Sequence, residues 1–103
     1  MKLVFTSLAR QDLTRLREFL AGNNPDAARR AAVRIKAASL LIAQQPHMGR
    51  GVRTPAGSSL DVRELPVSFG ASGYLIRYQI LPSEVRILRI WHARENWKEP
   101  EHR

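Results

Sequence analysis

The side chains able to do chemistry are few, and the most suggestive lie near the end of the chain. His92 is followed closely by Arg94 and then by Trp97. An imidazole can trade protons near neutral pH, which makes His92 a candidate general acid or base with a guanidinium at hand to hold an anion. A lone His beside an Arg serves equally well as an orienting or structural group. Trp97 sits among cations, Arg94 and Lys98, a setting that suits an interface anchor. Folding back onto a sheet edge is the competing role for it. Arg63, Arg77 and Arg89 recur through the second half of the chain, in segments of strand-like pattern. There is no cysteine. That removes disulfides, thiolate nucleophiles and cysteine-based zinc sites together. No metal and no cofactor is expected.

Charge adds a second hint. Lys and Arg number 17 against 9 Asp and Glu, for a net charge of +8. Nearly all the cations are arginine; lysine occurs at Lys2, Lys36 and Lys98. Such a chain is drawn to polyanions, whether nucleic acid, ribosome or an acidic protein segment. A merely solvated basic surface would carry the same charge. The 103 residues, 44% hydrophobic and 25% charged, are ordinary for one soluble globular domain. The whole chain, 1–103, reads as that domain, with a polar tail from about 95 to 103 expected to be flexible. No run of about 18 apolar residues exists, so no membrane span is expected. The opening Met1 to Phe5 is broken by Thr6, Ser7 and Arg10, unlike a signal peptide. A cytoplasmic location fits.

These groups must be positioned by a small set of elements. Lys2 to Phe5 reads as a strand. Ser7 can cap a helix over roughly 8–21, with Ala9, Leu13, Leu16 and Leu20 on one face and Gly22 at its end. Asn24-Pro25-Asp26 opens a second helix: Asn caps, Pro fits the first turn and Asp opposes the helix dipole. It runs to about Gln45, where Pro46 ends it. Ala28, Ala32, Ile35, Ser39 and Ile42 mark its narrow face, broadened by Ala31, Ala38 and Leu41. So many alanines predict close approach to the first helix as an antiparallel hairpin. Residues 46–59 read as a loop, long for a compact domain. Leu60 to Val67, Tyr74 to Leu81 and Val85 to Trp91 read as three strands of an antiparallel meander, with turns at Phe69–Gly73 and Pro82–Glu84. Tyr74, Ile76, Tyr78 and Ile80 share one face. The order is β-α-α-β-β-β, so the class is α+β, with a helical hairpin on one face of a mainly antiparallel sheet. The other face, carrying Arg63, Arg77 and Arg89, is expected to be open and basic.

Four strings in that order resemble a known family. Asn24-Pro25-Asp26-Ala27-Ala28-Arg29-Arg30 resembles the start of the second helix in ParE-type toxins, and Pro46-His47-Met48-Gly49-Arg50 the segment after it. Arg63-Glu64-Leu65, Ser72-Gly73-Tyr74 and Arg77-Tyr78 resemble their central hairpin. Ile87 to Arg94 resembles their last strand. Together they span about three quarters of the chain and point to the RelE/ParE superfamily of type II toxin–antitoxin systems, nearer ParE. The resemblance implies a partner: a ParD-like antitoxin whose acidic C-terminal segment wraps the toxin. Leu13, Leu16, Leu20 and Ile35, with Arg30 and Arg34, are the expected antitoxin contacts.

The resemblance leaves three activities open. RelE-like members cleave mRNA on the ribosome, which needs a base, an acid and cations around the reacting phosphate. His92, Arg94 and Arg63 are the residues that could serve. The set is partial: Leu75 stands where that branch has an Arg, Trp97 where it has a Tyr, and Glu64 would repel phosphate. An indole N–H donates a hydrogen bond but cannot act as acid or base. ParE-like members inhibit DNA gyrase with no chemistry of their own, and the incomplete set favours that expectation. Target contacts would then be Arg63, Arg77, Arg89, His92, Arg94 and Trp97. An inactive module that only binds an antitoxin is the third.

Overall fold

The computed structural model describes residues 1–70 and 72–93. Strand β1 (Lys2–Phe5) leads into helices α1 (Ser7–Asn23) and α2 (Pro25–Gln44). A single 3-10 turn (Pro46–Met48), a two-residue strand β2 (Arg50–Gly51) and strands β3 (Asp61–Phe69), β4 (Ser72–Ile80) and β5 (Glu84–His92) follow. The fold is the expected α+β arrangement, two helices packed on a five-stranded sheet of order β1-β5-β4-β3-β2. The meander β3-β4-β5 is antiparallel, whereas β1 pairs parallel with β5, from Lys2 opposite Glu84 to Phe5 opposite Ile87.

The helix boundaries turn on the capping residues. Thr6, not Ser7, caps α1: its hydroxyl accepts from the Ala9 amide at 3.1 Å and donates to the Leu88 carbonyl at 3.1 Å. Thr6 is already extended, so its side chain faces the free amides of the first turn. Gly22 does not stop the helix, which continues to Asn23. Asn24 ends it instead, its amide donating to the Leu20 carbonyl while its side-chain oxygen accepts from the Asp26 and Ala27 amides. One extended residue thus closes α1 and opens α2. The span expected to be one long loop holds two short pieces of structure, the 3-10 turn and β2. Tyr78 organises them: its hydroxyl donates to the Pro46 carbonyl at 2.6 Å and accepts from the Gly49 amide at 2.9 Å. The β3–β4 turn is tighter than expected. Pairing runs to Phe69 opposite Ser72, and Gly70 takes the left-handed conformation, φ 60°, that glycine adopts without cost.

The core lies between helices and sheet. Leu16, Ala31, Ile35 and Ile42 pack on Tyr74, Ile76, Tyr78, Val85, Ile87 and Ile90. Their alternation on β4 is the expected one, with Arg77 and Gln79 turned to the far face. Between Arg77 and Tyr78 the β4–β5 register slips by one residue, a bulge that keeps both Ile87 and Ile90 in the core.

β5 outruns its neighbour β1, and α1 supplies what the missing strand would. Beyond Ile87, among the described residues, no strand pairs with the β1 side of β5. There the Ile90 amide donates to the Asp12 carboxylate at 2.8 Å, and the Ile90 carbonyl accepts from the Arg15 guanidinium at 3.2 Å. Two side chains one helical turn apart therefore stand in for a strand partner. Buried backbone groups left without such partners would be costly.

Candidate functional site

The charged side chains of the sheet are held in pairs. On the face away from the helices, Arg77 donates through Nε and Nη2 to Glu64 Oε2 at 2.8 and 2.5 Å. Its guanidinium carbon lies 5.0 Å from the centroid of the Trp91 ring. Arg89 lies 5.1 Å from the same ring. It reaches past the edge of β5 to donate to Asp12 at 2.8 and 3.1 Å. Trp91 is thus bracketed by two guanidiniums, each tied to a carboxylate, and the ring face favours both cations.

Asp12 is 2% exposed. Burial pushes its carboxyl up, but hydrogen bonds from Arg89, the Ile90 amide and Arg15 together outweigh that and hold it below the ordinary carboxylate range. It remains ionised near neutral pH. Sequence reading missed it. The available signal was an acidic residue set among Ala9, Leu13 and Leu16, on the apolar side of its helix.

Arg63 departs from the expected open face. The register places it opposite Tyr78, on the helix-covered side. Its guanidinium is taken up by Asp61 at 3.0 Å and by the carbonyls of His47 and Gly49 at 3.3 and 3.1 Å. It fastens the 3-10 turn to the sheet. The expected single basic surface is therefore split: Arg77 and Arg89 lie together on one face and Arg63 on the other.

His92 lies on the helix-covered face at the opposite end of the strands. Its Nε2 is 3.4 Å from the Ser72 hydroxyl, and its ring meets Tyr74 edge-on at 5.4 Å. Arg63 on β3 and His92 on β5 stand two strands apart, and their β4 partners Tyr78 and Tyr74 are four residues apart. At about 3.3 Å per residue and about 4.8 Å per strand, their backbones are roughly 16 Å apart. They do not converge on one phosphate. Tyr74 is 2% exposed, and burial pushes its phenol up, so it stays protonated. Arg94 and Trp97 lie outside the described residues.

The apolar antitoxin candidates do come together. Leu13, Leu16 and Leu20 of α1 and Ile35 of α2 line one hollow of about 320 Å³ between the helices, with Tyr74 closing it below. The alanines of α2 shape it. Ala28, Ala31 and Ala32 let the helices pack, yet their short side chains leave this space unfilled. Arg17 and Lys36 line the same hollow and were not singled out from sequence. Arg30 and Arg34 lie elsewhere, in a shallower recess with Val33, Phe69 and Gly70. Arg30 is paired with Asp26 at 2.8 Å, and Arg34 donates to the Ser68 carbonyl at 2.6 Å. Among the described residues no cluster of His, Asp or Glu is arranged to hold a metal ion. No helix among them is long and apolar enough to cross a membrane.

Comparison with known proteins agrees with this architecture. The solved chromosomal ParDE TA system from P. aeruginosa superposes with a TM-score of 0.70, covering 90% of this chain and 96% of that one, at 22% identity. That likeness is one of fold. Sequence relatives are nearer. Toxin RelE3 of Caulobacter vibrioides is 42% identical over 87 residues, 84% of this chain and 88% of the relative. Toxin RelE1 of the same organism is 37% identical over 87 residues, 84% and 87% of the two chains. The family model described as ParE toxin of type II toxin-antitoxin system, parDE, matches residues 3–97. With nearly the whole length matched, and relatives well above 30% identity, the chain belongs to the ParE toxin family of type II toxin–antitoxin systems.

Proposed function

We propose that this toxin arrests growth by inhibiting DNA gyrase, without chemistry of its own, and that a ParD-like antitoxin with an acidic C-terminal segment neutralises it. The observation that carries the first half is the scattering of the groups RNA cleavage would need. Arg63 and His92 are about 16 Å apart by register, and Arg77 and Arg89 lie on the opposite face with a carboxylate on each. A phosphate undergoing in-line attack needs acid, base and cation within hydrogen-bond reach of one centre. A protein that works by binding has no such requirement. The net charge of +8 and the apolar hollow between the helices support an acidic, partly apolar antitoxin segment. So does the fold shared with a solved ParDE system.

The RelE names of the Caulobacter relatives favour a second reading, ribosome-dependent mRNA cleavage. His92, Arg94 and Arg63 would then be its residues. Purified gyrase in a supercoiling assay, run beside a ribosome-dependent cleavage assay, separates the two. Inhibited supercoiling with intact mRNA is the expected outcome, and growth arrest should come with filamentation and DNA-damage signalling. Codon-specific mRNA cleavage that is lost on Arg94→Ala would overturn the gyrase reading. Arg94→Ala and Trp97→Ala should weaken toxicity while antitoxin binding persists. Normal growth at verified expression would instead identify an inert antitoxin-binding module.

A further inference from the structure

Between α2 and the tip of the β3–β4 hairpin lies a recess of about 550 Å³ that shares no lining residue with the hollow between the helices. Arg29, Arg30, Val33 and Arg34 line it from the helix, Phe69 and Gly70 from the hairpin. Its charge is lopsided. Arg29 and Arg30 share one carboxylate, Asp26, while Arg34 donates to the Ser68 carbonyl at 2.6 Å. Three guanidiniums thus face one carboxylate, and Asp26 is exposed, so a stronger anion can displace it. Apolar surface stands beside them. Val33 is 62% exposed, and Phe69, whose ring lies 5.8 Å from that of Tyr74, is only partly buried. The sheet edge leaves the recess open. β2 pairs with β3 at Arg63 and Glu64, and the Val52 amide donates to the Val62 carbonyl at 2.8 Å. Along β3, Val62, Glu64, Pro66 and Ser68 therefore turn their backbone groups toward this edge. Pro66 has no amide to offer, and Arg34 already occupies the Ser68 carbonyl. An added protein strand finds little to pair with here. A ligand that brings negative charge and a flat apolar face fits better.

We propose that this recess binds a nucleoside phosphate, its phosphates held by Arg29, Arg30 and Arg34 and its base laid against Val33 and Phe69. A guanidinium presents its N–H groups as a planar fork that matches phosphate oxygens in pairs. The Ser68 carbonyl takes one nitrogen of Arg34 and fixes its guanidinium, leaving the other N–H groups to donate. Every base has a π-face that stacks on an aromatic ring, so the apolar wall accepts a base without reading its identity. The volume lies within the range of small-ligand sites. This site is independent of whether the toxin acts on gyrase or on mRNA, and it leaves the hollow between the helices to the antitoxin. The same chemistry comes from a free nucleotide or from one unit of a single strand.

Calorimetric titration of the full-length toxin with ATP, in buffer free of divalent cations, tests the site. Saturable one-to-one binding is expected. Adenosine alone and inorganic triphosphate alone should each bind about tenfold or more weaker, since each keeps only part of the contacts. Arg30→Gln/Arg34→Gln should lower ATP affinity about tenfold or more, and so should Val33→Glu, which sets a carboxylate among the guanidiniums. Phe69→Leu keeps the site apolar and should lose about threefold or more through stacking. Arg10→Gln/Arg17→Gln removes the same charge from α1 and should leave affinity within about twofold. Thermal melts of each variant confirm that the fold is retained. Equal losses in the two double variants would overturn the site, since only net charge would then matter. Triphosphate binding as tightly as ATP would overturn it too, as would undiminished binding to Val33→Glu or no binding to the wild-type toxin. An oligo-Glu peptide that displaces ATP as readily as unlabelled ATP does would assign the recess to an acidic protein segment instead. Competition separates the two sources of the ligand. A single-stranded oligonucleotide that displaces ATP at a lower nucleotide concentration than ATP itself assigns the site to a strand; one that needs a higher concentration assigns it to a free nucleotide.

Discussion

Replacing Asp12 by Ala should cost this protein much of its stability. The carboxylate accepts from Arg89 at 2.8 and 3.1 Å, from Arg15 at 2.5 Å and from the Ile90 amide at 2.8 Å, and it is 2% exposed. Removing one partner of a buried ion pair typically costs about 3–5 kcal/mol. Arg15 and Arg89 are 40% and 31% exposed, so both can turn toward water, which favours the lower end, about 3 kcal/mol. The Ile90 amide has no such escape. For a domain near this size, each kcal/mol moves the melting temperature by about 4–8 °C, so a fall of about 12 °C or more is expected at pH 7. Circular dichroism melts and urea titrations measure it. Asp12→Asn keeps an acceptor for the amide but loses the charge, and should fall between the two. Acid supplies an independent check. The folded carboxyl lies below its ordinary value of 3.8, so its contribution is complete above that value and disappears as the pH falls through the lower, folded one. The gap between wild type and Asp12→Ala should therefore be full at neutral pH and close in strong acid. A variant melting within about 3 °C of wild type would refute the idea that this side chain replaces a strand partner. A gap that does not close in acid would refute the role of its charge.

Three further substitutions test other parts of the structure. Tyr74→Phe removes a buried hydroxyl without a partner among the described residues, so the toxin should lose no stability and gain up to about 1 kcal/mol in a urea titration; a clear loss would mean that the hydroxyl is satisfied. Gly49→Ala puts a methyl group against the Tyr78 hydroxyl and 2.8 Å from the Glu64 carbonyl oxygen, and should destabilise by about 1–3 kcal/mol, with wild-type stability counting against that close approach. Glu64→Gln weakens the double hydrogen bond to Arg77 and should cost about 1–2 kcal/mol by the same titration, with a shift in tryptophan fluorescence as Arg77 moves over Trp91; an unchanged spectrum and midpoint would refute the coupling.

Periodicity made the elements legible, while partners far along the chain did not show. The stripes Ala9–Leu16 and Ala28–Ile42, and the alternation from Tyr74 to Ile80, record which face each element buries, so the two helices and the meander could be read directly. Asn24-Pro25 carried its own capping chemistry. Thr6 and Ser7 are equally good caps in isolation, and only the extended backbone at Thr6 distinguishes them. The loop from 46 to 59 has no period because its order comes from Tyr78 and Arg63, far along the sequence. Arg63 looked like surface charge because pairing register decides its face, and a shift of one residue reverses it. The bulge at Arg77/Tyr78 is likewise invisible in the pattern. Of the candidate contacts, the apolar ones on the helices were found because burial leaves a period. Arg17 and Lys36 were missed because a cation at the rim of a hollow reads, in sequence, like any solvated charge.

The parallel pairing of β1 with β5 also sets when this toxin can come into being. β5 lies between β1 and β4 in the sheet, yet among the described strands it is the last to be synthesised. A growing chain can form α1, α2 and the β3–β4 hairpin, but β1 has no neighbour and the inner faces of both helices lack half their floor. Closure across nearly the whole length of a chain is the slow kind of folding step, because the loop entropy is lost before any contact rewards it. Asp12 and Arg15 have nothing to seal, and Trp91 is not there to be bracketed, until β5 has been made. A ribosome that stalls or drops off early therefore releases a fragment without the finished surface. The sheet, and with it the bracket around Trp91, is therefore finished only once β5 has been made.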